Sequence, residues 1–288
     1  MRHGRDLVGY GMASAIFAAL RQPSRARVSI DAQGVVLVET STQEIGTGAR
    51  TVLPQIAADA LGVPVEHVRL TWGDTDLPPA PMTAGSVSTG SAGSAVQDGA
   101  LKLKKKLEAA GAKSPAGYAD VVRRSSMERL GAEGEFDPPA ESSKALFSFG
   151  AVFAEVRVDE QIPIPRVSRI VGVYSAGRIV NPKTARSQMI GGLTWGIGQA
   201  LLEHSVMDHR LGRFLSKNLA GYLVPVNADV ADIDVSFIDE VDPDVNPLGA
   251  RGIGELGAIG VGAAIANAVF HATGVRVREV PIRPEMLM

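Results

Sequence analysis

The first long apolar stretch, residues 7–19, is uncharged and mixes glycine and alanine with larger side chains (LVGYGMASAIFAA). This pattern suits a strand buried against close neighbours. Basic residues followed by Ala-Ser-Ala also look a little like a secretory leader. Asp6 interrupts that charge asymmetry, and the strand is the preferred reading. Alternating runs over 26–30 and 35–40 flank Asp31-Ala32-Gln33-Gly34 and predict a hairpin. After Gly46-Thr47-Gly48 a helix is expected from Thr51, with Pro54 in its first turn and Gly62 as its stop. Residues 68–72 read as a strand. A Pro-rich bend, a Ser/Gly loop over 83–93 and a helix over 94–110 follow.

Residues 111–146 are polar, carry Pro138-Pro139 and mixed charge, and lack clear periodicity. Beyond them, 149–158 and 167–175 alternate on either side of Pro163 and Pro165 and predict an antiparallel pair. Asn181 as cap and Pro182 at the first position start a long helix reaching His204, with Trp195, Ile197 and Leu201 turned to the core. A strand over 235–238, a helix over 262–273 closed by Gly274 and a last strand over 275–281 complete the chain. Strands and helices mix without regular alternation, so the expected class is α+β. The expected layout is two related lobes, 1–112 and 147–288, joined by a linker over 113–146.

Composition narrows the chemistry. The chain has 288 residues, 45% apolar and 21% charged, ordinary for a globular protein. A net charge of -2 argues against nucleic acid or an anionic membrane as partner. No apolar run reaches the ~18 residues of a membrane span. There are no cysteines, which removes disulfides, thiolate-bound zinc and cysteinyl iron–sulfur clusters. Five histidines occur without metal-ligand spacing, so no protein-built metal site is expected. Lys102, Lys104, Lys105 and Lys106 read as a solvated helix face, and His67, His204 and His209 as surface residues.

The segment GARGIGELGAIGVGAAIANAVFHATG, 249–274, raises the sharpest question. Between Arg251 and His271 its only charged side chain is Glu255. A carboxylate buried among glycines and small apolar residues requires a partner or a role. Gly252, Gly254 and Gly257 spell the dinucleotide fingerprint G-x-G-x-x-G. Pro243, Asn246 and Pro247 precede it instead of a strand, and only about 30 residues follow, too few for that sheet. Close helix–sheet packing accounts for Gly257, Gly260 and Gly262, but not for Glu255. Three small-residue segments, 46–48, 83–93 and 252–257, come just before predicted helices. Exposed N–H groups there could grip a large phosphorylated cofactor through the main chain.

Several stretches resemble one family. DVNPLGARGIGELGAIGVGAAIANAVFHATGVRVREVPIRPE is similar to the C-terminal end of the molybdenum-binding subunit of the xanthine dehydrogenase/aldehyde oxidase family. RIVNPKTARSQMIGGLTWGIGQALLEH, EIGTGARTVLPQIAADALGVP and MTAGSVSTGSAGSAV resemble further segments of that subunit, in the same order. The resemblance is closest to bacterial aldehyde oxidoreductases that carry molybdopterin cytosine dinucleotide. It implies that Glu255 is the catalytic base and that Gln188, Thr47 and Gly48 contact the pterin. It further implies that Thr83, Ala84, Gly85, Ser86, Val87 and Ser88 wrap the phosphates, with Gly252 and Gly254 at a turn that lets the cofactor approach. Molybdenum would be held by the pterin, with no protein ligand. The implied reaction hydroxylates an aldehyde or N-heterocycle carbon with oxygen from water.

The family subunit is far longer, and the resemblance covers only its C-terminal portion. The implied partners are the complementary N-terminal portion, an iron–sulfur subunit carrying [2Fe-2S] and a subunit carrying FAD. By itself the chain would then be inactive. A cytoplasmic location is expected, or a periplasmic one through export with a partner. Two rival readings are a truncated or scaffold module without cofactor and, disfavoured by context, a nicotinamide dehydrogenase.

Overall fold

The computed structural model describes residues 1–139, 143–230 and 232–288. A short strand, β1 (Arg2–His3), turns back antiparallel onto the long β2 (Asp6–Ala18). β3 (Ser24–Asp31) and β4 (Val36–Thr40) form the antiparallel hairpin that their alternation predicts. Asp31 closes its turn by accepting from the N–H groups of Gln33 and Val35 at 3.0 and 2.8 Å. Helix α1 (Ala49–Leu61) crosses over to β5 (Val68–Trp72), which lies parallel to β4. Gly62 ends α1 at φ 73°, its N–H donating to the carbonyls of Ala58 and Asp59. α2 (Ser88–Ala109), α3 (Tyr118–Ser125) and β6 (Arg129–Phe136) follow, and the sheet runs β5-β4-β3-β6.

The second half repeats this order of events. β7 (Phe147–Asp159) and β8 (Pro165–Ser175) pair antiparallel, and α4 (Pro182–Leu201) follows. After the small ribbon of β9 (Met207–Asp208) and β10 (Arg213–Phe214), β11 (Asp232–Phe237) lies parallel to β8. α5 (Val261–Thr273) completes the layer over a sheet ordered β1-β2-β7-β8-β11. Each sheet thus holds a hairpin and a strand returned parallel by a helix. The strand beside the hairpin's first member is β6 in one sheet and β2 in the other. The α+β class with two related lobes stands.

Two apolar cores lie under these layers, one around Leu53, Leu103 and Leu107, the other around Met189, Leu193, Ile197 and Ile265. Glycine makes the closest approaches. A Cβ at Gly9 or Gly11 of β2 would lie 2.0 or 2.1 Å from the carbonyls of Ala268 or Ala264 in α5.

Several expectations are corrected. β2 belongs to the second sheet, paired with β7 from Asp6–Asp159 to Ala18–Phe147. Residues 118–136 belong to the first lobe as α3 and an edge strand, so they do not act as a linker. Their polarity is that of an edge strand and a surface helix. Part of that presumed linker, residues 140–142, lies outside the described residues. α2 starts at Ser88 rather than 94, absorbing half of the Ser/Gly loop, because Gly90 and Gly93 pack tightly against Asn246, Ile56 and Leu248. Trp195 is 52% exposed, since Met189, Leu193 and Ile197 define the inward stripe of α4 and Trp195 falls off it. Residues 275–281 form no strand. Val277 packs on the core while Val280 is exposed, and the N–H of Ile282 donates to Ala200 of α4. Gly262 has open space where a Cβ would stand, so packing explains Gly257 and Gly260 only.

Candidate active site at the junction of the lobes

A cleft of about 260 Å3 opens where the loop before α1, the turn before α2, the first turns of α4 and the segment 250–255 meet. Thr47, Thr83, Ala84, Gly85, Ser86, Ser88, Gln188, Gly252, Gly254 and Glu255 line it together. Gly48 and Val87 do not. Gly48, at φ 92°, packs against Thr184, whose Cγ2 would be 2.8 Å from an added Cβ, and Val87 is buried beneath the turn.

The turn before α2 is latched at both ends. The side chain of Gln43 accepts from the N–H of Thr83 at 2.8 Å, while the Thr83 hydroxyl donates to the carbonyl of Gln43 at 2.8 Å. At the other end Ser86, at φ 61°, accepts from the N–H of Gly254 at 2.7 Å. A Cβ at Gly252 would lie 2.7 Å from the carbonyl oxygen of Ser86. These two fingerprint glycines therefore serve contact between lobes.

The helix starts behave differently from one another. Glu44 fills the one before α1, accepting from the N–H groups of Gly46, Gly48 and Arg50 at 2.7, 3.1 and 2.8 Å. Partial burial pushes its pKa up. The backbone donors of Arg50, Gly48, Gly46 and Thr47 outweigh this and hold the carboxyl below the usual range. Asn181 caps α4 by accepting from the N–H of Thr184 at 3.0 Å and donates across the junction to Gln55 at 2.9 Å. At α2, the N–H groups of Ser88, Thr89 and Gly90 have no acceptor among the described residues. The segment before α2 thus keeps its main-chain donors open, whereas Glu44 takes those before α1 and Ser86 takes that of Gly254 in 252–257.

Arg251, with its side chain only 8% exposed, supports the cleft from behind. It donates to the carbonyl of Phe147 at 2.8 Å, to Ser175 at 2.9 Å and to Glu240, with Asp242 at 3.6 Å. Burial acts to raise the pKa of Glu240, but Ser175, the N–H of Gly177 and Arg251 together keep it low. Arg178 reaches the rim and pairs with Asp59 at 2.8 Å. Glu255 is exposed, contrary to the buried carboxylate expected, because its turn faces out between the buried Leu256 and the exposed Gly254. Its carboxylate has no hydrogen-bond or ion-pair partner among the described residues, nor has the half-buried side chain of Gln188.

Residues 1–231 match the molybdopterin cofactor-binding domain family. The chain belongs to that family. It shares it with the molybdenum-binding subunits of the xanthine dehydrogenase/aldehyde oxidase group. The aldehyde oxidoreductase molybdenum-binding subunit PaoC of Escherichia coli (strain K12) is 40% identical over 302 aligned positions, covering 100% of this chain and 41% of PaoC. The solved quinoline 2-oxidoreductase of Pseudomonas putida 86 superposes with a TM-score of 0.85 at 27% identity, over 98% of this chain and 41% of that one. The aldehyde oxidoreductase of Desulfovibrio desulfuricans gives 0.84 at 26% identity, over 99% and 32%. The molybdopterin-binding chain thus spans about two-fifths of the PaoC relative it matches.

The donor set of the cleft fits such a cofactor. Open N–H groups and hydroxyls at the start of α2 suit phosphate oxygens, and an amide side chain at Gln188 suits the hydrogen-bonding edge of a pterin. Glu44, Arg178 and Arg251 went unremarked in the sequence reading of this site. Glu44 had a legible signal, an acidic residue two positions before Gly46-Thr47-Gly48. Arg178 had none, since Asp59 lies 119 positions away. For Arg251 only the nearby Glu240 and Asp242 gave any hint, its other partners Phe147 and Ser175 being 104 and 76 positions away.

Proposed function

We propose that this chain is the C-terminal, cofactor-binding part of a molybdenum hydroxylase that oxidises aldehydes or N-heterocycles. The observation that supports this reading is the convergence of Glu255, Gln188 and the Thr83–Ser88 turn, from three distant segments, on one cleft. The cofactor would be molybdopterin cytosine dinucleotide, which supplies the two-electron acceptor for hydroxylating a carbon with oxygen from water.

In this reading the first turn of α2 and the Thr83 and Ser88 hydroxyls hold the phosphates. Gln188 and Thr47 orient the pterin, and Gly85 leaves the turn bare for close approach. Glu255 is the general base, taking a proton at its carboxylate from the attacking oxygen. With no partner among the described residues, both of its carboxylate oxygens are available for that task. Arg251 and Glu240 position the segment that bears it. A [2Fe-2S] subunit, an FAD subunit and the rest of the large subunit would complete the enzyme. The compartment is that of the assembled complex, cytoplasmic or periplasmic. No helix among the described residues is long and apolar enough to cross a membrane.

The test is Glu255→Gln in the reconstituted complex. Aldehyde turnover should fall by roughly three orders of magnitude or more while bound molybdenum is unchanged. Retained turnover overturns the role of Glu255, and a complex that never takes up molybdenum favours a scaffold module.

A further inference from the structure

The sheet formed by β2, β7, β8 and β11 carries apolar surface on both faces, although at β11 the outer positions are Asp232, Asp234 and Ser236. One face carries α5 and α4. On the other, Tyr10, Met12 and Ile16 of β2 stand beside Phe149 and Phe153 of β7, each between 46 and 52% exposed. The register makes this one patch, for Met12 pairs with Phe153 and Ile16 with Phe149. Val171 and Val173 of β8 continue it, opposite Phe153 and Ala151. An antiparallel sheet with one face in water places polar side chains there. Here the β2–β7–β8 part of that face is apolar instead, and contiguous exposed apolar surface of this kind marks an interaction site.

The patch runs up to the cleft. Leu20, at the end of β2, would touch a Cβ on Gly85 at 3.0 Å. At the start of β7, the carbonyl of Phe147 accepts from Arg251, and the Ser148 hydroxyl donates to the carbonyl of Gly252 at 2.8 Å. Polypeptide lying on this face would therefore reach the rim where Gly254 and Glu255 are exposed. The occupant follows from length. The chain is matched from end to end by a molybdenum-binding subunit of which it spans 41%, so that relative carries other chain of its own.

We infer that the outer face of the β2–β7–β8 sheet is the docking surface for the remainder of the large subunit, which thereby closes the cofactor cleft over Glu255. This rests on the reading of the chain as part of a molybdenum hydroxylase.

The test co-expresses the full chain with the portion of E. coli PaoC that it does not match, as a tagged probe, and measures recovery, affinity and bound molybdenum. A one-to-one complex is expected. Phe149→Ser/Phe153→Lys, and separately Met12→Lys on the neighbouring strand, should weaken it about tenfold or more. Their side chains point away from the core, so the melting curves of the isolated variants should match the parent chain. Unweakened binding in both variants overturns the inference, as does failure of the parent chain to bind the probe. Sedimentation showing the parent chain as a dimer that Met12→Lys dissociates also overturns it, in favour of a second copy. A patch-dependent complex without molybdenum upholds the docking surface and removes the proposed function. A molybdenum-loaded complex indifferent to both variants does the reverse.

Discussion

The N–H of Gly254 donates to the hydroxyl of Ser86 at 2.7 Å, joining residues 168 positions apart across the lobe junction. Ser86 holds a left-handed conformation at φ 61°, one that a serine adopts at some energetic cost. The bond ties the turn before α2 to the segment bearing Glu255. The two parts of the cleft with the clearest chemical assignments are thereby held to one another.

The closeness of that junction predicts a steric result. Gly252→Ala would place a Cβ 2.7 Å from the carbonyl oxygen and 2.8 Å from the Cβ of Ser86. Destabilisation of about 1–3 kcal/mol is expected by urea denaturation. Gly262→Ala is the control. Its added Cβ meets nothing within 4 Å, and in the first turn of α5 it should stabilise by roughly 0.5–1 kcal/mol.

Glu44 predicts an acid-sensitive contribution to stability. Its folded-state pKa is lowered from 4.5, so its contribution is complete above that value and fades as pH falls through the lowered one. Glu44→Gln should reduce stability at neutral pH and flatten the acid limb of the curve. Equal acid limbs for the two proteins in denaturant titrations across the carboxylate range would refute the assignment.

Arg251 is held by two carboxylates, a hydroxyl and a carbonyl. Arg251→Met leaves Glu240 and Asp242 without their cation. Both are partly exposed, at 32 and 20%, so the loss should be about 2–3 kcal/mol, below that of a fully buried pair. The midpoint shift in guanidinium measures it, with Arg251→Lys recovering only part.

Asn181 has two tasks that one substitution separates. Asn181→Ala should cost about 1 kcal/mol through the lost cap and a little more through Gln55. Asn181→Asp keeps an acceptor for the N–H of Thr184 but cannot donate to Gln55. Thermal unfolding should rank Asp between Asn and Ala.

Local structure was legible wherever its cause is local. Alternation around Asp31–Gly34 marked the hairpin, Gly62 marked the end of α1, and Asn181-Pro182 marked the start of α4. By contrast, α1 begins at Ala49, two residues before the expected Thr51, and so holds Pro54 inside it rather than in its first turn. The cleft residues could be singled out because small, uncharged segments around a lone Glu255 are unusual in composition. What required the tertiary structure was every pairing between distant parts of the chain. β2 reads as a buried strand, but only the sheet shows β7 beside it rather than β3. The start of α2 moved to Ser88 because its glycines fit tightly against Leu248 and Asn246, a condition that helix propensity does not contain. The sequence by itself determined which residues are chemically distinctive and where helices and turns begin, since propensity and capping act over a few residues. The tertiary structure decided which N–H groups stay open, which lone carboxylate is exposed and which sheet face remains apolar. Those properties depend on what long-range packing brings near each group.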